Sequence, residues 1–227
     1  MATELTWLGH GTWSITSGDH KIVLDPFIND NPSAPCKADD VEADFILVSH
    51  GHFDHVSDLV YLAKKTGAKV IAIFEIVDWL KNQGVDNAHP LNIGGGVSMP
   101  FGRVQMTNAI HSSVLPDGTY AGNPGGFLIQ FPEGEVYFAC DTALFSDMKL
   151  IPKEGLELAV LPIGDNFTMG PDDAARAVQL LEPKRVAPAH YNTWPPIEQD
   201  AEAWAKYVKD TTSTEPIVLQ PGGTITL

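Results

Sequence analysis

Ser49-His-Gly-His-Phe-Asp-His55 places four potential metal ligands within six consecutive positions. In an extended chain, side chains two positions apart point the same way, so His50 and His52 are placed to bind one ion. Asp54 and His55 follow in a turn that leads into a predicted helix, where they can face a second ion. Three buried histidines and an aspartate without a cation would lack polar partners, which is energetically costly. The segment therefore predicts a metal site.

Further candidate ligands stand at the ends of predicted strands. Residues 43–48, which are apolar apart from Asp44, are typical of a strand buried on both faces and lead directly into the histidine segment. Predicted strands over 104–110, 135–139 and 185–188 end at His111, Asp141 and His190. Strand ends hold side chains rigidly, so several of them meeting at one rim would build a preformed polar site.

The order of elements indicates a mixed α/β chain. Short strands dominate the first third, and helical spacing of apolar residues predicts helices over 56–66, 76–83, 171–181 and about 199–209. Strands over 217–219 and 224–226 are expected at the end of the chain. No linker or low-complexity tract interrupts this pattern, so we predict one domain over residues 1–227.

The composition limits which binding partners and which cellular compartment are expected. The formal net charge is -15, which disfavours binding to phosphate backbones, so no nucleic acid partner is expected. Two cysteines are too few for a disulfide framework. We find neither a basic leader nor an apolar run of about 18 residues, and we therefore expect a cytoplasmic protein without a membrane partner.

The His-X-His-X-Asp-His pattern after a buried strand resembles the metallo-β-lactamase superfamily. The resemblance extends along the whole chain, because a third histidine, an aspartate at a strand end and a late histidine follow in the family's order. It implies an α/β (α+β) fold, a four-layer αββα sandwich of two mixed β-sheets flanked by helices. It also implies one ion on His50, His52 and His111, a second on Asp54, His55 and His190, and a bridging Asp141.

Four shorter segments resemble the branch of metal-dependent hydrolases related to bacterial L-ascorbate phosphate lactonase. They are Trp7-Leu-Gly-His10, Leu24-Asp-Pro-Phe27, residues 164–170 and His190-Tyr-Asn-Thr193. The resemblance implies a hydrolase that cleaves an ester, lactone or phosphodiester bond of a small molecule with a hydroxide shared by two divalent ions. Zinc is the first choice, with manganese and iron as alternatives.

Other polar residues near the strand ends are candidates for supporting roles. Asp25 is expected to accept a hydrogen bond from a ligand imidazole, and capping of a turn is its alternative role. His10, between two glycines, is a candidate for lining the pocket or donating to substrate, and Asp54 and Asp141 are candidates for accepting a proton. Candidates for the pocket floor or for substrate contacts are Asp165, Asn166, Tyr191 and Asn192, whereas residues 194–196 are interpreted as packing.

Three other functions remain open at this point. A di-iron oxidoreductase on the same fold would need an extra carboxylate ligand and a flavin-bearing partner domain. A nuclease that acts on RNA ends is disfavoured because a net charge of -15 opposes binding to a phosphate backbone. A non-enzymatic, metal-binding role is disfavoured because the sequence retains both complete sets of candidate ligands. Relatives often assemble, so a homo-oligomer is also open.

Overall fold

The computed structural model describes residues 2–227. Its strands in chain order are β1 (Glu4–Trp7), β2 (Trp13–Ser17), β3 (His20–Leu24), β4 (Phe45–Leu47), β5 (Lys69–Ile73), β6 (Ala88–Leu91), β7 (Gly96–Met99), β8 (Gly102–Asn108), β9 (Gly125–Phe131), β10 (Gly134–Phe138), β11 (Leu156–Pro162), β12 (Arg185–Ala189), β13 (Glu215–Pro216) and β14 (Thr224–Thr226). The helices are α1 (Phe53–Val56), α2 (Leu59–Thr66), α3 (Phe74–Asn82), α4 (Pro171–Leu181) and α5 (Ala201–Thr211), with short 3₁₀ turns at Ala38–Asp40, Ser146–Leu150 and Pro195–Ile197.

Each of the two β-sheets has seven strands and mixed pairing. The first sheet has the order β14-β1-β2-β3-β4-β5-β6, antiparallel from β14 to β3 and parallel from β3 to β6. The second has the order β13-β12-β11-β10-β9-β8-β7, parallel from β13 to β10 and antiparallel from β10 to β7. Strands β1 to β6 and the last strand therefore build one sheet, and β7 to β13 build the other.

The two sheets pack face to face, with helices on their outer faces. Trp13 of the first sheet meets Phe138 of the second edge-on, with ring centroids 6.0 Å apart, and both side chains are almost fully buried. Helix α3 packs on β5 and β6, while α4 packs on β11 and on α5. Because each helix buries one apolar stripe, the expected four-layer sandwich forms.

Some elements differ from the sequence-based expectations. The helix predicted over 56–66 is divided into α1 and α2, because the Asp58 carboxylate between them accepts from the backbone N–H groups of Ile28 and Asn29 at 2.7 and 2.9 Å. The strand predicted over 217–219 was wrong, since the strand β13 lies at Glu215–Pro216 and residues 217–219 form a loop. Strands β6 and β7 were missed, and β6 contains Pro90, which an edge strand tolerates because its outer side needs no partner.

Candidate metal centre

The candidate ligands converge at one rim of the sandwich, where strands of both sheets end. His50 follows β4, His111 follows β8, Asp141 follows β10 and His190 follows β12. Backbone hydrogen bonds link the two sheets at this rim, from Gly125 N–H at the start of β9 to the Ser49 carbonyl and from His190 N–H to the His10 carbonyl, both at 3.0 Å. The rim is thus a rigid platform contributed by both sheets.

Non-glycine residues in left-handed backbone conformations follow several of these strands. His10, Asp25, Cys140 and His190 have φ values of 55°, 47°, 52° and 54°. This conformation costs free energy for residues other than glycine and is concentrated at functional sites. It turns the chain sharply at the strand end, so that the next side chains face the rim.

Three imidazoles form the first group of candidate ligands. His52 Nδ1 lies 2.9 Å from His50 Nε2 and 3.2 Å from His111 Nε2. Two nitrogens bound to one tetrahedral zinc ion at 2.0–2.1 Å lie about 3.3 Å apart. The spacing of the three nitrogens therefore fits a single ion held by all three rings.

The second group adds a carboxylate. His190 Nε2 and His55 Nε2 lie 3.6 and 3.8 Å from Asp54 Oδ2. Asp141 Oδ2 lies 3.1 Å from His190 Nε2 and 3.4 Å from His55 Nε2, and also 3.6 Å from His111 Nε2 in the first group. One carboxylate oxygen thus stands between the two groups.

Unpartnered nitrogens support a cation in the second group. Within residues 2–227, Nε2 of His55 and Nε2 of His190 are buried and make no hydrogen bond, although Asp141 Oδ2 is near both. Their lone pairs converge with carboxylate oxygens on a common point. Because a buried polar atom without a partner is costly, this donor set fits a bound divalent ion.

Asp25 supports one histidine of each group. Its Oδ2 accepts from His55 Nδ1 at 2.9 Å and from Ser49 Oγ at 2.6 Å. Ser49 Oγ in turn lies 2.9 Å from His50 Nδ1. This series of hydrogen bonds places a proton on Nδ1 of both rings and leaves the Nε2 lone pair of each ring free to bind a metal ion.

His10 contacts a candidate ligand. Its Nε2 lies 2.9 Å from Asp54 Oδ2 and its Nδ1 lies 2.8 Å from Thr193 Oγ1. The side chain is fully buried and stands behind Asp54, away from the cavity wall. The structure therefore places His10 against Asp54, and its predicted contact with substrate stays a prediction.

The carboxylates at the rim favour a bound positive charge. Burial opposes protonation, yet Asp141 and Asp54 raise the pKa of His190 to about 9 and the pKa of His55 well above its usual range. Burial alone would raise the pKa of Asp141, but His190 and His55 hold it well below its usual value. Divalent ions would replace the protons that these carboxylates otherwise draw onto the two histidines.

Burial outweighs the nearby carboxylates in its effect on the pKa values of the other histidines. It lowers the pKa values of His50, His52 and His111, so these three rings are neutral at pH 7. Burial and the neighbouring His190 lower the pKa of His10 to about 3. Neutral imidazole is the form that binds zinc.

A cavity of about 490 Å³ opens onto the two groups. Its inner end is formed by the candidate ligands and by Ser112, whose Oγ lies 3.3 Å from His52 Nε2. Its outer wall is aromatic and apolar, formed by Phe53, Phe167, Trp194 and Pro196. Residues 194–196, interpreted from the sequence as packing, therefore contribute to the cavity.

Four residues predicted to make polar contacts do not line the cavity. Asp165 and Asn166 are exposed in a turn after β11. Asn192 is also exposed, and its Oδ1 accepts from Gln199 N–H at 2.7 Å, which stabilises a loop. Tyr191 is buried and stacks on Trp7, with ring centroids 5.4 Å apart. All four follow strands, but the turns direct them away from the ligands.

Two polar residues at the site were missed by sequence reasoning. Ser49 and Thr193 each bind one histidine ring, and both stand beside residues that were selected, His50 and Asn192. Thr193 is 183 positions from His10 in the chain. Only the fold shows that contact, whereas the adjacency of Ser49 to His50 was a signal available in the sequence.

Comparison with known proteins identifies the class. A family pattern described as a β-lactamase superfamily domain matches residues 20–191. The protein YhfI of Bacillus subtilis, described as a metallo-β-lactamase fold protein, has a TM-score of 0.78 at 14% identity, with 100% of each chain covered. The chain thus belongs to the metallo-β-lactamase superfamily, and the expected fold is confirmed.

Within that superfamily, the chain is a member of the UPF0173 metal-dependent hydrolases. A UPF0173 metal-dependent hydrolase of Heliobacterium modesticaldum is 47% identical over 232 residues, covering 99% of this chain and 97% of that protein. Igni18, a metallo hydrolase of Ignicoccus hospitalis, has a TM-score of 0.89 at 33% identity, covering 100% of this chain and 99% of that one.

The helices were also compared with the length needed to cross a bilayer. Within residues 2–227, no helix is long and apolar enough to span a membrane.

Proposed function

We propose that this metal-dependent hydrolase cleaves an ester, lactone or phosphodiester bond of a small molecule at a centre of two divalent ions, with zinc as the resident metal. The observation that carries the proposal is the position of Asp141 Oδ2, within 3.1 to 4.0 Å of ring nitrogens from both ligand groups. A single carboxylate oxygen so placed is suited to bridge two ions.

The donor sets favour zinc. The first group is made only of imidazoles, and the second combines imidazoles with carboxylates, a chemistry that suits zinc and leaves manganese and iron as alternatives. When bound, two such ions would lower the pKa of a water molecule toward neutrality and polarise the bond to be cleaved.

Two carboxylates of the chain, Asp54 and Asp141, have defined positions and charges at the site. Asp54 accepts a hydrogen bond from His10 and also borders the cavity, so it is placed to contact a molecule bound there. Asp54 and Asp141 remain ionised at neutral pH, since neighbouring histidines hold their pKa values below the usual range although burial opposes this. Their first role is ligation, and they are also the nearest groups able to accept a proton.

The test is turnover by protein stripped with a chelator and reloaded with zinc, manganese or iron. We expect metal-dependent cleavage of at least one probe among an aryl ester, a δ-lactone and an aryl phosphodiester. His111→Ala should reduce kcat/KM at least about a hundredfold. His89→Ala, a partly exposed histidine on β6, is the matched control and should retain activity. Absence of cleavage of all three probes with every metal would contradict the proposal.

A further inference from the structure

The outer wall of the cavity is built from aromatic side chains at fixed positions. Phe53 packs edge-on against Phe27 with centroids 5.3 Å apart, and Trp194 lies 5.8 Å from Phe27 and 4.9 Å from the His10 ring. Phe27 and His10 are fully buried. The wall is therefore supported from behind by the same histidine that holds Asp54.

Phe167 enters the wall from a strained turn. It follows Asp165 and Asn166, whose φ values of 60° and 37° are left-handed, a conformation that aspartate and asparagine tolerate better than other residues with side chains. Phe167 is 55% exposed and borders the cavity. The two polar residues thus have a backbone role, which is to present an aromatic ring beside the metal centre at a cost in free energy.

A single exposed aromatic ring is ordinary on a protein surface, but Phe53 and Phe167 border one cavity together with the candidate ligands. Phe53 is 47% exposed and, like Phe167, stands directly at the mouth of the candidate metal centre. The two rings line one cavity with the candidate ligands, so a molecule bound in this cavity can contact both. Contiguous apolar surface at such a position marks a binding site.

Apart from metal ions bound at the candidate ligands, the cavity lining has few groups that would attract an anion. None of the described residues that line it is a lysine or an arginine, and its charged side chains other than histidine are Asp54 and Asp141. Proteins that recognise phosphate or carboxylate groups usually place arginine or lysine against them. The net charge of -15 adds no attraction for anions at long range.

From these observations we propose that the site selects uncharged acyl substrates, esters or lactones, that carry an apolar group bound by Phe53, Phe167 and Trp194. The inference rests on the proposed hydrolase function and narrows it. Phosphodiesters and acyl substrates that carry a carboxylate belong to the disfavoured class.

The first experiment is a kinetic series on the zinc-loaded full chain with p-nitrophenyl acetate, butanoate and hexanoate. Burial of each added methylene group should raise kcat/KM about fourfold. The p-nitrophenyl monoester of adipate matches the length and ester bond of the hexanoate but ends in a carboxylate, and we expect its kcat/KM to be at least about tenfold lower.

Phe167→Ala tests the aromatic wall directly. We expect about a tenfold loss of kcat/KM for the hexanoate and less than a twofold change for the acetate, because only the longer chain reaches the ring. Tyr207→Ala truncates a ring of similar exposure on α5, away from the cavity, and should leave the series unchanged.

A second readout does not require turnover. Binding of 4-fluorobenzyl alcohol, which is neutral and cannot be hydrolysed, is followed by fluorine NMR on the same proteins. Line broadening that is lost in Phe167→Ala and kept in Tyr207→Ala supports the apolar site even if no ester is cleaved, in which case only the hydrolase proposal fails.

Three results would overturn the inference. One is a kcat/KM for methyl p-nitrophenyl phosphate above that for the hexanoate ester. Another is a Phe167→Ala protein that matches the unmodified chain in both readouts. The third is a change of molecular mass in solution on Phe167→Ala with the kinetic series unaltered, which would make the aromatic wall an interface between copies of the chain.

Discussion

His10 Nε2 lies 2.9 Å from Asp54 Oδ2, and the other nitrogen of the same ring lies 2.8 Å from Thr193 Oγ1. Because burial lowers the pKa of His10 to about 3, the ring is neutral, so Nε2–H donates to the carboxylate and Nδ1 accepts from the threonine hydroxyl. A chain of three side chains from three separate segments thus fixes one oxygen of a candidate ligand.

We predict that His10→Ala weakens binding of the second ion about 10- to 100-fold, while the group of three histidines keeps its affinity. The reason is that Asp54 loses the donor that orients it. Competitive titration with a zinc-sensitive chelating dye measures both affinities. Thr193→Ser keeps the hydroxyl and should behave as the unmodified chain, whereas Thr193→Val should weaken the same site. Equal affinities in His10→Ala and the parent would refute this role.

Asp25→Asn should weaken both ion sites together. Asp25 accepts from His55 directly and reaches His50 through Ser49, so an amide disturbs the tautomers of one histidine in each group. We expect about a tenfold loss of affinity at each site and a lower free energy of unfolding by about 1–3 kcal/mol, since buried partners lose a charged acceptor. Asp19→Asn, in the turn between β2 and β3, is the control. Loss at one site only would contradict the shared role.

Gly51, between two candidate ligands, leaves no space for a side chain. A Cβ at this position would lie 2.4 Å from the Cβ of Ala121 and 3.2 Å from the Val114 carbonyl oxygen. We predict that Gly51→Ala displaces the loop and lowers the metal content of the purified protein below that of the parent. The double variant Gly51→Ala, Ala121→Gly removes the closest contact and should recover part of the metal. Full metal content in the single variant would show that the loop yields freely.

The protein without metal should lose stability as the pH rises. His190 has a pKa of about 9 in the folded chain against an ordinary value of 6.5, so its protonated ring contributes stability that is fully present below pH 6.5. That contribution disappears as the pH rises through about 9, when the ring loses its proton. Urea midpoints of chelator-treated protein should fall over this range.

Zinc-loaded protein serves as the comparison for that measurement. In it the ion, rather than a proton, balances Asp141 and Asp54, so we expect a flatter dependence of the urea midpoint on pH. A chelator-treated protein that becomes more stable between pH 6.5 and 9 would contradict the sign of the prediction.

Sequence patterns located the candidate metal ligands for two physical reasons. His50, His52, Asp54 and His55 are close in the chain, so local geometry alone brings them together. His111, Asp141 and His190 are far apart, but each follows a predicted strand, and the ends of neighbouring strands meet at one rim. Asp25 also ends a strand, and the structure places it against His55.

The cavity wall and the hydrogen bonds behind the ligands were not accessible in the same way. Sequence analysis selected Asp165 and Asn166 and passed over the Phe167 that follows them. The left-handed backbone of these two residues, which positions Phe167, cannot be predicted from residue type. Trp194 and Thr193 reach the site only through the packing of a late loop on the first sheet. Strand β6 was missed because a histidine and a proline interrupt its apolar pattern.

Anomalous X-ray diffraction at the zinc absorption edge, on crystals of zinc-loaded protein, tests the central claim most directly. We predict two peaks about 3.5–4 Å apart, one among His50, His52 and His111 and the other among Asp54, His55 and His190, with Asp141 between them. Asp141→Ala crystals should lose at least one peak. A single ion, ions bound elsewhere, or two undiminished peaks in Asp141→Ala would contradict a centre of two ions bridged by this carboxylate.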